Sequence, residues 1–276
     1  MRRVLAVATL AAAVIAGPAM RAQAPQAPTP SRPAPPATGA KAPAPASTPT
    51  PNLPSARSII DRHIEAIGGR KAILSHTSSH ATGTMTVAGS GITGALEIYS
   101  AKPDKSLVKI NLGGIGEVVE GFDGVHAWSI SPMTGPSLTQ GKELEEKKFD
   151  ANFYSDLHEG RYASMKTVEK TTFDGRPCYK VSLMMKNGSE DIEFYDVQTG
   201  LKAGAIVTRE AQMGMGPMAV TQVVLDYKKF GGLLVPTTLK QTAMGVEQVL
   251  KLTAVEFDNV PPSMFEPPAQ IKALLK

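Results

Sequence analysis

The side chains best suited to chemistry in this 276-residue chain are five histidines, a single cysteine and a short run of carboxylates. His76 and His80 stand four apart, the spacing that places two imidazoles on one helix face for zinc. They flank Thr77-Ser78-Ser79 at a strand start, without helical context or a nearby Glu, so the spacing lacks the setting it needs. His63 falls on the apolar side of a helical segment and reads as a packed, hydrogen-bonded residue, while His126 and His158 have no evident partner. Cys178 follows Gly175-Arg176-Pro177; with no helix N-terminus or histidine to lower its pKa, it reads as a half-buried strand residue. Glu190, Asp191, Glu193 and Asp196 could pair for acid–base work, but they alternate with Ile192 and Phe194 as the solvated outer face of a strand would. No Gly-x-Ser-x-Gly elbow occurs, and Gly113-Gly114-Ile115-Gly116 is too short for a dinucleotide fingerprint and reads as hairpin glycines. The residues point to no catalytic site, no metal set and no cofactor.

The apolar side chains are more informative. Met184, Met185, Met213, Met215, Met218 and Met244 cluster late in the chain, and methionine adapts to ligands of variable shape as readily as it fills a core. The Met213–Met218 tip, with Gly214, Gly216 and Pro217, has the composition of a mobile loop at a cavity mouth.

The elements that must position these residues follow from periodicity. Ser55 is placed to cap a helix running to Ile67, with Ile59, Ile60, His63, Ile64 and Ile67 on one face and Gly68-Gly69 ending it. A second short helical turn, Arg70 to Ser75, carries Ile73 and Leu74, and the pair has the character of a lid or plug lying on a sheet. From Ser78 the period becomes two, with strand-like runs separated by Gly, Asn, Asp and Pro. One interruption, Lys142 to about Leu157, spaces Leu144, Phe149, Phe153 and Leu157 as a helical excursion. Strands resume near Tyr162, for a total of about eleven or twelve, as in an all-β barrel or sandwich.

Arg2-Arg3, the apolar run Val4 to Gly17 and Ala22-Gln23-Ala24 have the form of a signal peptide over residues 1–24, cleaved near residues 22–24. The apolar run is too short to span a bilayer, and no Cys near the cleavage point offers a lipid anchor, so a soluble periplasmic chain without a transmembrane segment is expected. Residues 25–54 hold eleven of the 22 prolines among Ala, Thr and Ser, a disordered linker by composition. Residues 55–276 are left as one β domain. The leader and linker carry five cations and no carboxylate, so the overall charge of +4 becomes −1 for the domain. The basic isoelectric point is therefore no footprint for nucleic acid.

Several stretches together resemble a known family. They are Ile59-Ile60-Asp61-Arg62-His63-Ile64-Glu65-Ala66-Ile67-Gly68-Gly69, Glu120-Gly121-Phe122-Asp123-Gly124 before Ala127-Trp128, Glu193-Phe194-Tyr195-Asp196-Val197-Gln198-Thr199-Gly200-Leu201, Leu225-Asp226-Tyr227-Lys228-Lys229-Phe230-Gly231-Gly232 with Val235-Pro236, and Val260-Pro261-Pro262-Ser263-Met264-Phe265-Glu266-Pro267-Pro268. In order and spacing the set is similar to the outer-membrane lipoprotein-sorting proteins of the LolA/LolB-like superfamily. That resemblance implies a single curved antiparallel sheet, an unclosed half-barrel of about eleven strands, with short helices covering its concave face. It also implies a non-catalytic periplasmic carrier or sensor that holds a lipid or the acyl chains of a lipoprotein, with an envelope protein as a further partner. The alternating residues Leu96, Ile98, Val108, Ile110, Trp128, Val181, Leu183 and Ile206 are the candidates for the apolar cavity. A slip of one residue in register would turn any of them outward. The alternative is a structural or protein-interaction module of the envelope, built on the same scaffold with a filled core.

Overall fold

The computed structural model describes residues 53–157, 160–186, 188–211 and 216–276. The expected signal peptide and nearly all of the linker, together with His158, Met213 and Met215, lie outside the described residues.

The chain enters through helix α1 (Ala56–Ala66). Ser55 caps it through Oγ, which accepts from the Ser58 amide at 3.1 Å, and Ile59, Ile60, His63 and Ile64 form its buried stripe. Gly68, at φ +127°, ends it: a Cβ there would sit 2.7 Å from the Gly232 carbonyl oxygen, so only glycine permits the close approach. Helix α2 (Gly69–Ser75) follows at once.

Six strands then run as a meander: β1 (Ser78–Val87), β2 (Thr93–Ala101), β3 (Lys105–Asn111), β4 (Glu117–Phe122), β5 (Ala127–Ser131) and β6 (Gly135–Thr139). Helix α3 (Gly141–Asp150) and a turn of 3-10 helix at Ser155–Leu157 form the expected helical excursion. Seven more strands complete the chain: β7 (Tyr162–Phe173), β8 (Arg176–Met185), β9 (Glu190–Asp196), β10 (Lys202–Ala211), β11 (Gly216–Phe230), β12 (Leu233–Ala243) and β13 (Val246–Phe257). A short helix α4 (Ala269–Lys272) and a turn of 3-10 helix at Ala273–Leu275 follow.

Among the described residues all thirteen strands belong to one antiparallel sheet in the order β6-β5-β4-β3-β2-β1-β13-β12-β11-β10-β9-β8-β7, with β6 and β7 as unjoined edges. The sheet is mainly β and unclosed as expected, with two strands beyond the expected eleven. One strand that a sequence pattern hides is β6: Gly135 and Pro136 argue against a strand, but an edge strand tolerates a proline because its outer side needs no ladder partner.

One face gathers the main core. It draws Ile59, Ile60 and Ile64 of α1 together with Met85, Leu96, Ile98, Val108, Ile110, Val118, Val181, Leu183, Val224, Leu239, Leu250 and Leu252, from β4 on one side to β8 on the other, a span of ten of the thirteen strands. Strands so far apart share one cluster only because the sheet curls around the helices, and this is its inner face. The outer face has smaller clusters. Tyr99, Leu107 and Trp128 are covered by Phe265 and Ile271 of the returning C-terminal segment, and Cys178, Phe194 and Ala203 lie beneath Phe173.

Three turn aspartates pin the corners. Asp123 accepts from the Val125 and His126 amides at 2.8 and 2.6 Å, and Asp196 from those of Gln198 and Thr199 at 2.9 and 2.7 Å. Asp258 accepts from the Thr77 amide at 2.6 Å and from His76 Nδ1 at 2.7 Å, joining the exit of β13 to the start of β1. Burial alone would raise these three carboxyls; the hydrogen bonds outweigh it and hold all three below the ordinary range. A carboxyl lowered in the folded state stabilises above its unfolded value of about 4 and loses that contribution as pH falls through the folded value. Urea midpoints measured from pH 7 downward are expected to stay level to about pH 5 and then fall, with a shallower fall in Asp258→Asn.

A second expectation concerns Gly121, which lies directly opposite Trp128 on the outer face. A Cβ at Gly121 would sit 2.1 Å from the indole. Gly121→Ala should cost about 1–3 kcal/mol in urea denaturation, as overpacking does, whereas Gly114→Ala, with open space around it, should change little.

Candidate functional site

The inner face holds a cavity of about 80 Å³ inside a cleft of about 680 Å³ counted out to solvent. Ile67 and Ile73 roof it, Ala81, Ile98, Leu233, Val235 and Leu252 form its apolar floor, and Phe153 closes one side. Ser79, Ser100, His76 and Asp156 are its polar members. His76 is committed to structure: Nδ1 reaches Asp258 and Nε2 donates to the Gly231 carbonyl oxygen at 2.8 Å, with the ring stacked on Phe257 at 4.1 Å. Helix α1 is latched over the sheet by Arg62, which donates to the Val197 and Gln198 carbonyls at 2.8 and 2.5 Å, and by His63, whose Nδ1 lies 3.2 Å from the Gly200 carbonyl oxygen. Packing and hydrogen bonding of His63 are as its place on the helix suggested.

Six of the eight apolar candidates lie in the inner-face cluster: Leu96, Ile98, Val108, Ile110, Val181 and Leu183. Ile98 lines the cavity itself. Two lie on the outer face. Trp128 is 1 % exposed but pairs with Gly121, out of phase with the inward Glu120 and Phe122, and packs against Phe265. Ile206 is 36 % exposed. The register of β10 on β9 shifts between Lys202 and Gly204, and this bulge flips the later residues, so that Ala205 and Val207 face inward and Ile206 outward.

The carboxylates of β9 require a larger correction. Asp191 and Glu193 are not solvated: both are buried on the inner face, while Ile192 and Phe194 pack outward against Phe173 and Cys178. Glu193 accepts from Lys202 Nζ at 2.9 Å and from the Tyr195 hydroxyl. Asp191 accepts from Arg209 Nη1 at 2.9 Å, and Arg209 reaches on to Asp150 of α3 at 3.3 Å. Lys147 of α3 pairs with buried Glu120; burial would lower the ammonium, but the carboxylate beside it holds it above its usual range. These ion pairs fix α3 across the opening between the two edges. Pattern alone could not reveal them, because a strand apolar on both faces with interspersed charges looks the same as one with a wet side. The signal available was the matching of Lys202 and Arg209 to Glu193 and Asp191 across a hairpin.

Glu120, Asp191 and Glu193 each have a cation, the Cys178 thiol is buried and pushed up chiefly by that burial, and burial likewise pushes up the Tyr227 hydroxyl. Among the described residues no group of three His, Cys, Asp or Glu could hold a metal ion, and no helix is long and apolar enough to cross a membrane. Breaking the innermost pair tests how deeply it is buried. Lys202→Met should cost about 3–5 kcal/mol by stranding Glu193, and adding Glu193→Gln should recover much of that loss in thermal melts.

No family model and no curated protein matches this sequence. Solved structures do match. A DUF1329 family protein from Desulfovibrio piger aligns over 76% of this chain and 97% of its own, at 15% identity and a TM-score of 0.53. A LolA superfamily protein from Nitrosomonas europaea aligns over 78% and 99%, at 15% identity and 0.52. A putative outer membrane lipoprotein-sorting protein domain from Vibrio parahaemolyticus aligns over 80% and 99%, at 14% identity and 0.51. The curled sheet with its inner helices is thus the fold of the LolA superfamily and of lipoprotein-sorting domains, as the sequence motifs suggested.

Proposed function

We propose that this protein is a non-catalytic carrier or sensor of the bacterial envelope that takes a lipid, or the acyl chains of a lipoprotein, into its inner-face cavity. The observation that carries the reading is the apolar cleft under α1 and α2, floored by Ile98, Val235 and Leu252, on a fold shared with lipoprotein-sorting domains. Each methylene buried there is worth about 0.8 kcal/mol, so a chain of ordinary length supplies enough free energy to hold cargo without any polar anchor. The leader-like residues 1–24 and the Pro/Ala-rich linker 25–54 fit export to the periplasm, with the linker as a tether or spacer.

A second reading, an interaction module with a filled core, is favoured by the small enclosed volume. About 80 Å³ holds several waters but not a whole acyl chain, so the carrier must widen by moving α1 and α2 off the floor. The latch of Arg62 and His63 on the β9–β10 turn is the contact that such movement would release.

Native mass spectrometry of protein purified from an exporting host, with extraction of any bound mass, tests the proposal. A stoichiometric lipid or acylated peptide is expected, and Ile98→Trp, which fills the cavity, should lower its occupancy while the fold persists. A bare protein mass that takes up no added fatty acid or lipopeptide would leave the interaction module as the better reading.

A further inference from the structure

The hairpin turns give the two ends of the sheet opposite character. Because β1 runs antiparallel to both β2 and β13, the β5–β6, β3–β4, β1–β2 and β12–β13 turns fall at one end, in successive places about 10 Å apart along the rim. Their residues, 132–134, 112–116, 88–92 and 244–245, include no charged side chain. The turns of the opposite end carry Lys102, Asp104, Asp123 and Asp174, with Asp258 at the exit of β13. On the uncharged rim Met133 is 65 %, Ile115 48 % and Met244 72 % exposed. A Cβ added at Gly89, Gly113, Gly135 or Gly245 would meet nothing within 4 Å, so these tips project outward.

The polar backbone of the tips is turned in on itself. Ser90 Oγ accepts from the Ile92 amide at 3.1 Å and donates to the Val87 carbonyl oxygen at 2.9 Å. Asn111 Oδ1 accepts from the Gly113 amide at 2.9 Å, and Ser131 Oγ from the Met133 amide at 3.2 Å. The fourth turn is a two-residue hairpin, Met244-Gly245, with φ at +49° and +78°. Both positions favour Gly, Asn or Asp, so a methionine there is strained while its side chain stays exposed. An apolar side chain held where a polar one would sit more easily points to a role outside the fold.

We propose that this rim docks on a lipid bilayer surface, with Met133, Ile115 and Met244 entering between the headgroups. A bilayer accepts apolar groups singly, asks no charge pairing of them and disfavours unbonded backbone groups, and the rim suits all three conditions. A protein partner calls for a contiguous apolar centre with a polar surround, whereas these side chains stand about 10–20 Å apart among glycines. Docking of this kind is independent of whether the inner-face cavity takes cargo.

Co-sedimentation of the full chain, purified from an exporting host, with phosphatidylcholine vesicles at low and high salt tests this. Binding is expected, with little dependence on salt because the rim is uncharged. Each exposed methionine is expected to contribute about tenfold to the partition coefficient, so Met133→Ser combined with Met244→Asn should weaken binding about tenfold or more. Met244→Asn alone should melt no lower than the unaltered protein, because asparagine is at ease at positive φ, which separates docking from stability. Val125→Ser, which removes a side chain 64 % exposed at the opposite end, should leave docking unchanged. Binding that the double variant retains, or that Val125→Ser weakens as much, would overturn the inference. So would binding confined to anionic vesicles and abolished by salt, and absence of vesicle binding would leave the rim to a protein partner.

Discussion

The structure depends on the pairing of β1 with β13. Residues 78–139 and 162–257 form two antiparallel meanders, each built from neighbours in sequence, and only the ladder from Ser79–Phe257 to Val87–Gln248 joins them into one sheet. That ladder bulges between Thr82 and Gly83, where a Cβ would sit 2.1 Å from the Lys251 carbonyl oxygen, so a glycine is required at the seam. The partners are some 170 residues apart, as in the bond from Thr253 Oγ1 to the Thr82 carbonyl oxygen. One long loop closure, rather than several, therefore joins the two halves.

Joining the meanders creates the inner face. A flat sheet of either half would leave the α1 isoleucines covered on one side only; curled together, the halves enclose them and bury both apolar rows and charges. The knot of His76, Thr77, Asp258 and Gly231 at one end of the seam, and the Asp150–Arg209–Asp191 chain across the opening, hold that curl at two distant points. Inner-face polarity is thus of two kinds. The ion pairs are matched and structural, whereas Gln222, Gln241 and Gln248 stand side by side on β11, β12 and β13 as uncharged polar groups.

Charge-paired burial also explains the shape of the cleft. Lys147 and Arg209 keep α3 and its following turn over the sheet, which brings Phe153 and Asp156 to the cavity wall. Helices α1 and α2 meet the sheet through Arg62 and His63 on the β9–β10 turn, through the Leu234 amide, which donates to the Ile67 carbonyl oxygen at 2.9 Å, and through their isoleucines.

Much of this was written locally in the chain. Ser55, the isoleucine spacing and Gly68-Gly69 specify α1 to within a residue, because caps and helix stripes act over one turn. The alternation in Leu96–Ile98 and Val108–Ile110 set the inward phase of β2 and β3, strands without bulges. Where phase depended on a distant partner, sequence could not supply it. Ile206 turns outward because β10 bulges against β9, Trp128 because Gly121 leaves room for its ring, and Asp191 and Glu193 turn inward because Arg209 and Lys202 meet them there. The same limit hid the glutamine row, since Gln222, Gln241 and Gln248 become neighbours only through strand pairing. Local propensity determined which segments are strands and helices; pairing between segments far apart in the chain decided which face each side chain joined, because a period of two is inverted by a single inserted residue.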